Sequence, residues 1–320
     1  MNASLLLALT LIPLVNTPTS DAPPELGKVR FGRDVDAALI AAAAQKKPVF
    51  LLFQEIPGCA TCKNFGAGPL TEPLLVEAIE TLFVPVVVHN NKGGDDAKAL
   101  ERFREPAWNN PVVRWLDASG RDLIPREDGV WNSGAIATRM TKALQKSGTS
   151  APDWLQSAAL ELDTSAHQRV VLGMHCFWEG QAALGALPGV VDARPGFVDG
   201  FEVVDVRFAP SVISTAELIA RADKVGCATH VWASTAAELE VARSIVGNRA
   251  RSLEGSVRAA AETDDLRRLK ASRTLSRLKL TRMQSVRVNA QLSLEGADPR
   301  SALSPLQIAA LRAMEVEQPR

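Results

Sequence analysis

Four cysteines carry most of the chemistry open to this 320-residue chain, and two of them stand close together as Cys59 and Cys62. They close the stretch K-K-P-V-F-L-L-F-Q-E-I-P-G-C-A-T-C, in which an apolar run stops at Pro57-Gly58 and resumes as a Cys-x-x-C pair. Such a run reads as a buried strand, so the thiols are delivered to a strand end where a helix begins. Backbone N–H groups and the helix dipole there favour a thiolate, which makes Cys59 the attacking sulfur and Cys62 the resolving one. A Cys-x-x-C loop is poor geometry for a structural staple, and the chemistry it suggests is dithiol exchange or metal binding. Cys176, in H-C-F-W-E, has a reactive setting of its own, and Cys227, in K-V-G-C-A-T-H-V-W, is the fourth sulfur. His175 and His230 stand near them without the spacing of a zinc site.

The elements that must position these residues alternate helix and strand in the first half. Helices are predicted over Asp34 to Gln45, Pro73 to Leu82, Ala97 to Arg104 and Ser133 to Lys146; strands over Pro48 to Glu55, Val84 to His89, Val112 to Asp117 and Asp122 to Pro125. Ser147 to Pro152 reads as a low-information linker, with periodic structure resuming near Ala158. The length suits two domains. We therefore expect a first domain over 28–147, a linker over 148–166, a second domain over 167–250 and a helical basic tail over 251–320. The tail includes a terminal helix that starts at Ser304-Pro305; Thr235 to Val246 is a capped helix before it.

Lysines plus arginines number 36 and so do aspartates plus glutamates, which removes the uniform positive field that drives nonspecific nucleic-acid binding. No nucleic-acid partner is expected. The basic stretch Arg267 to Arg287 reads as a solvated face, with peripheral contact to an anionic membrane surface as the rival reading. At the start of the chain, the apolar run Leu5 to Leu14 is too short to span a bilayer, and residues 1–22 read as a signal peptide. Export to the periplasm or medium is the expectation; an uncleaved N-terminal membrane anchor and a misassigned start are the alternatives. Outside the cytosol the cysteines are also free to form structural disulfides.

The segment from Pro48 to Trp131, with E-I-P-G-C-A-T-C, P-L-L-V-E-A-I-E, F-V-P-V-V-V-H-N-N, E-P-A-W-N-N-P-V-V-R and G-R-D-L-I-P-R, resembles the bacterial thioredoxin-like selenoprotein family named for its V-P-G-U-x-x-T signature. The resemblance implies a thioredoxin-like α/β fold. Such folds place a proline, commonly cis, before the strand that faces the dithiol, and Pro111 stands in that place; an ordinary loop proline is the plainer reading. Members often carry selenocysteine where this chain has Cys59, and the signature has threonine where it has Cys62. Both departures favour a conventional dithiol cycle. R-V-N-A-Q-L and L-S-P-L-Q, near Asn289 and Ser304, look like the tail of the same family's two-domain version.

From Arg169 the chain reads V-V-L-G-M-H-C-F-W-E-G-Q-A-A-L-G-A-L-P-G-V and continues through a glutamate-bearing strand to P-S-V-I-S. This is similar to the core of the A-type peptide methionine sulfoxide reductases, and implies an α+β domain with a ferredoxin-like core. Carried over, Cys176 attacks the sulfoxide sulfur, Phe177 and Trp178 wall the site that receives the S-methyl group, and Glu202 protonates the departing oxygen. Cys227 becomes the candidate resolver of the resulting sulfenic acid. Plainer readings stand beside each role: Phe177 and Trp178 as packing, Glu202 as a solvated strand residue, Cys227 as an inert buried thiol. The chain has no tyrosine, and Phe197 stands where the family has one that binds the sulfoxide oxygen. His175 replaces a glycine, and Gly226 to Val231 replaces another family motif. Losing such donors typically costs about two or more orders of magnitude in rate each.

The expected protein is an exported thiol oxidoreductase that needs no cofactor or metal. Its partners would be an oxidised protein or small-molecule sulfur substrate and an upstream thiol electron donor. Two readings from other classes remain: a noncatalytic reductase-like module that presents clients to the thioredoxin-like domain, and a thiol carrier for copper or zinc.

Overall fold

The computed structural model describes residues 23–317, and the expected leader, 1–22, lies outside them. Two sheets organise the described chain, one of three strands and one of six, each with its own apolar core. In the first half, Asp34 accepts from the Ala37 N–H and starts α1 (Val35–Gln45). β1 (Val49–Gln54) is buried along its whole length. Its sequence lacks polar alternation because both faces are covered: Phe50 and Leu52 enter one core, Leu51 and Phe53 another. There follow α2 (Ala60–Ala67), α3 (Pro73–Leu82), β2 (Val84–His89), α4 (Asp95–Phe103), β3 (Val112–Leu116) and α5 (Ser133–Lys146). β1 is central, parallel to β2 and antiparallel to β3, so its C-terminal end opens between them at Cys59. The strand expected at Asp122 to Pro125 shrinks to a single bridge between Leu116 and Asp122.

The expected linker over 148–166 is corrected. After a turn, α6 (Asp153–Leu162) folds back on α5 and buries Trp154, Leu155, Ala158 and Ala159 in the core that holds Phe50. These positions have helical spacing, which the small polar residues before Pro152 obscure in the sequence. Gly134 permits the close approach, since a Cβ there would lie 2.6 Å from the Leu162 carbonyl oxygen.

The second half runs β4 (Gln168–Gly173), α7 (Phe177–Gly185), β5 (Val190–Val198), β6 (Phe201–Phe208), α8 (Thr215–Lys224) and β7 (Val231–Ala233). The strands pair antiparallel in the order β7-β4-β6-β5, a split β-α-β arrangement. α9 (Ala236–Val246) leads to β8 (Ala250–Ser252) on one sheet edge, and β9 (Arg258–Ala259) pairs with β5 on the other. α10 (Arg267–Ala271), α11 (Arg282–Gln291) and α12 (Pro305–Glu317) complete the described chain. Residues from 251 onward are thus no separate tail. They complete both sheet edges, and α11 buries Val286 and Val288 in the core under α7. The basic stretch is exposed at Arg267, Arg268, Lys270, Arg273, Arg277 and Lys279, as a solvated face would be, but Arg282 bridges Asp192 and Asp265 and Arg287 is largely enclosed. Among the described residues no helix is long and apolar enough to cross a membrane.

Two carboxylates tie the halves together. Glu161 on α6 accepts the Met283 N–H at the start of α11 at 3.1 Å, and Glu77 on α3 accepts the Leu306 N–H at the start of α12 at 2.8 Å. First-turn N–H groups have no acceptor within their own helix, so each acid acts as a cap supplied from across the chain. Burial pushes the Glu161 carboxyl above its ordinary value. We expect Glu77→Ala to lower unfolding stability by about 1–2 kcal/mol and Glu77→Gln, which keeps an acceptor, by less. Urea unfolding checks this; equal midpoints for the wild type and Glu77→Ala would refute the cap.

Candidate functional site

Cys59 is the N-cap of α2, exposed, with extended backbone. Cys62 lies one turn on, fully buried, with its sulfur 3.8 Å from that of Cys59. The two thiols are therefore near neighbours in opposite surroundings. The Cys59 thiol is held below its ordinary value chiefly by the backbone N–H of Cys62, with further help from Thr61 and the Cys62 thiol, against a smaller opposing effect of burial. Burial pushes the Cys62 thiol up to about 11. Its sulfur also meets the Asn110 Oδ1 at 2.7 Å. Asn110 Nδ2 donates to the Ala107 carbonyl at 3.4 Å, which turns the amide oxygen toward sulfur and makes Cys62 the donor. The Asn110–Pro111 bond is cis, so Pro111 follows directly on the side chain that touches Cys62.

The turn before Cys59 is pinned from three directions. Glu25, buried, accepts the Gly58 N–H at 2.8 Å. Asn91 accepts from the Ile56 N–H and donates to the Pro57 carbonyl. Gln54, at the end of β1, donates to the carbonyls of Glu25 and Cys62. Gly58 has no room for a side chain: a Cβ would lie 2.3 Å from the Glu55 carbonyl oxygen and 2.6 Å from the Cys62 Cβ. Around this site Trp108 is 83% exposed and Trp131 45%, and the Trp131 indole donates to the Pro111 carbonyl. A broad apolar rim thus borders the loop that touches Cys62. The Glu55 carboxylate and both sulfurs lie within 4.8 Å of one another, a donor set able to hold a cation.

The second site repeats the plan. Cys176 is the half-buried N-cap of α7, just beyond the end of β4. The Phe177 N–H is taken by Glu202 Oε2 at 2.8 Å, so Glu202 is occupied as a helix cap rather than solvated. Phe177 is buried and packs edge-on to Phe197, with ring centres 5.5 Å apart, in the main core of this half. Trp178 alone of this pair is exposed, and its indole donates to Asp264. A cavity of about 300 Å³ opens beside Cys176, lined by Trp178, Gln181, Arg267, Arg268 and Asn289 among others. Phe177, Phe197 and Glu202 do not line this cavity. Cys227 is buried, and burial first, then the Glu179 carboxylate and Cys176, push its thiol up. The His230 ring packs on Phe201, and neither His175 nor His230 belongs to a metal-donor group among the described residues.

Sequence reasoning passed over Glu25, Gln54, Asn91, Trp108 and Asn110 at the first site, and Asp264, Arg267, Arg268 and Asn289 at the second. Asn110 was within reach, since it immediately precedes Pro111. Gln54, Asn91, Trp108 and Asn289 lie inside quoted motifs and Arg267 and Arg268 in the basic stretch, but nothing in the sequence says which of these side chains reaches a thiol site.

What fold and site define is a mixed α/β protein with a Cys-x-x-C pair at a helix start. Among solved structures, one titled "DsbH Oxidoreductase" aligns with 41% of this chain and 94% of its own at 16% identity, with a TM-score of 0.32, too slight a likeness to carry an argument. No protein-family model matches the chain, and no curated protein does.

The thiol environments predict an ordered titration. Cys59 should alkylate at lower pH than Cys62, whose midpoint lies near 11, so iodoacetamide at pH 8 labels Cys59 far ahead of Cys62. Peptide-resolved mass spectrometry reads both; equal labelling of the two at pH 8 would contradict the assignment of attacker and resolver.

Proposed function

We propose that this chain is a thiol–disulfide oxidoreductase whose Cys59/Cys62 dithiol, on a thioredoxin-like unit, supplies electrons to a second thiol centre at Cys176. The observation that carries the reading is the pairing of an exposed, easily ionised Cys59 with a buried, protonated Cys62 3.8 Å away. Exchange needs that asymmetry: one thiolate to attack a disulfide and a neighbouring thiol to release the mixed disulfide. A central strand flanked by one parallel and one antiparallel partner, with a cis proline before the latter, supports the thioredoxin-like assignment.

The second unit, similar to the A-type methionine sulfoxide reductases, would act on an oxidised sulfur substrate. Its β-α-β-β-α-β order and the Cys176 cap support this. Cys176 attacks the sulfoxide sulfur; the sulfide leaves, and the oxygen stays on Cys176 as a sulfenic acid. Cys227 condenses with it, releasing water and leaving a Cys176–Cys227 disulfide. Cys59 then attacks that disulfide, Cys62 displaces the mixed disulfide, and an external dithiol recharges the pair. Without tyrosine donors, turnover on methionine sulfoxide should be slow. The cycle would run outside the cytoplasm on the reading of the apolar run Leu5 to Leu14 as part of a signal peptide.

A second reading rests on Glu55, Cys59 and Cys62 as a three-donor set for a thiophilic ion such as copper(I) or zinc. It requires Cys62 to give up a proton that its surroundings hold up to about 11. Metal analysis of the reduced protein after dialysis separates the readings, stoichiometric metal favouring the carrier.

For the exchange cycle, Cys176→Ser should abolish reduction of a methionine sulfoxide peptide, and Cys59→Ser should permit only a single turnover. Retained peptide reduction in both variants would defeat the tandem cycle. Retained client-disulfide reduction in Cys176→Ser with no sulfoxide consumption by the wild type would make the second unit a docking module.

A further inference from the structure

The cavity beside Cys176 has a charge character that its sequence motif does not carry. Its walls come from α7 on one side and from the α10–α11 region on the other, so residues more than eighty positions away in sequence complete it. The segment before α10 is held firmly: Gln181, buried, accepts the Leu266 N–H at 3.0 Å and donates to Asp265, while the Asn289 Oδ1 accepts the N–H groups of Arg268 and Leu269. This frame fixes the point at which Arg267 and Arg268 leave the backbone. The Arg267 guanidinium lies over the Trp178 ring, 4.0 Å from its centre, on the cavity wall.

Of the two acids nearest in sequence to these arginines, one is paired with another arginine and the other keeps its charge at the Trp178 ring. Asp265 is paired with Arg282, and Asp264 accepts from the Trp178 indole. Among the described residues neither Arg267 nor Arg268 forms an ion pair, although thirteen other arginines do. Glu179 is the one acid on the cavity wall, and its charge is also felt at Cys227. Two unpaired guanidinium groups and an aromatic face beside a thiol form a receptor for an anion with an apolar portion.

We propose that this cavity binds a carboxylate-bearing small molecule of about amino-acid size, with the carboxylate on Arg267 and Arg268 and the sulfur-bearing end toward Cys176. The volume of about 300 Å³ is at the small end of ligand sites and suits a single residue rather than an internal stretch of polypeptide. This deepens the reading of Cys176 as the substrate-facing thiol: it makes the substrate an acid, such as a free sulfoxide amino acid or a C-terminal sulfoxide residue, and not a sulfoxide in mid-chain.

The test compares two alkylating reagents of like size and different charge, iodoacetate and iodoacetamide, on the reduced full-length chain at pH 7. The ratio of their rates at one thiol is independent of how far that thiol is ionised, so it isolates the surrounding charge. We expect the iodoacetate-to-iodoacetamide ratio at Cys176 to exceed that at Cys59 by about fivefold or more, as a contact with unit positive charge in a wet site would give. Arg267→Gln and Arg268→Gln should each lower the Cys176 ratio, whereas Arg273→Gln, which is not on the cavity wall, should not. A ratio at Cys176 no higher than at Cys59 in the wild type would overturn the proposal whatever the variants do. Protection of Cys176 by methionine sulfoxide identifies a free amino acid as the source, and protection by a peptide ending in methionine sulfoxide identifies a chain terminus. The measurement needs no turnover: a high ratio with no sulfoxide consumed would sink the reductase reading and leave the anion site standing, and sulfoxide turnover with no charge preference would do the reverse.

Discussion

The first N–H groups of a helix need an acceptor from outside the helix, and in both halves of this chain the residue standing at that place is a cysteine just beyond a buried strand. The two sites answer the same demand differently. At α2 no side chain caps the helix, and the nearby backbone N–H groups of Cys62 and Thr61 favour the Cys59 thiolate. At α7 the carboxylate of Glu202 takes the Phe177 N–H, so Cys176 shares its helix start with an acid from β6. The rest of each half serves to bring a strand end and a helix start to one point: β1 runs between two partners, and β4 between β6 and β7.

Around the first site, control over reactivity comes from groups that are not cysteine. Burial and the Asn110 amide keep a proton on Cys62, while Glu25, Asn91 and Gln54 hold the Pro57-Gly58 turn so that only Cys59 faces solvent. Around the second, the surroundings are built by the helices at the C-terminal end of the described chain. α10 and α11 stand over α7, Gln181 and Asn289 fix the approach, and the arginines of that segment divide into those buried in pairs and those left facing the cavity.

The local pattern of the first half was legible because its signals are local. Asp34 before an alanine-rich run, Pro73 at a helix start and the unbroken V-F-L-L-F strand each announce their own element, and α1, α3, β1 and β2 lie where the pattern puts them. The contrast between an exposed Cys59 with a favoured thiolate and a buried Cys62 follows in part from the same kind of reading, since a helix start acts on the residues next to it. What escaped depends on contacts between distant segments. α6 was obscured because its polar approach reads as a linker, although Trp154 and Leu155 have a core to enter. The segment after residue 251 looked like a charged tail because arginine composition says nothing about which guanidinium meets Asp192 or Asp265. The wall of the Cys176 cavity depends on the same kind of contact: Phe177 sits beside the thiol in sequence and its ring packs on Phe197, while Arg267 reaches the cavity from far along the chain.

The acids Glu77 and Glu161 bear on how such a chain came to be and how it can be taken apart. A boundary drawn by sequence likeness would cut between two reusable cassettes, but the second cassette leans on the first: α11 and α12 begin on carboxylates, Glu161 and Glu77, that belong to the opposite half. Replacing the first half with a counterpart from another lineage would leave bare amides at those helix starts unless it brought an acid to the same spot, and replacing the second would leave the two acids without their donors. The two parts are therefore co-adapted along their seam, and shuffling them is constrained by two glutamates that take no part in the sulfur chemistry.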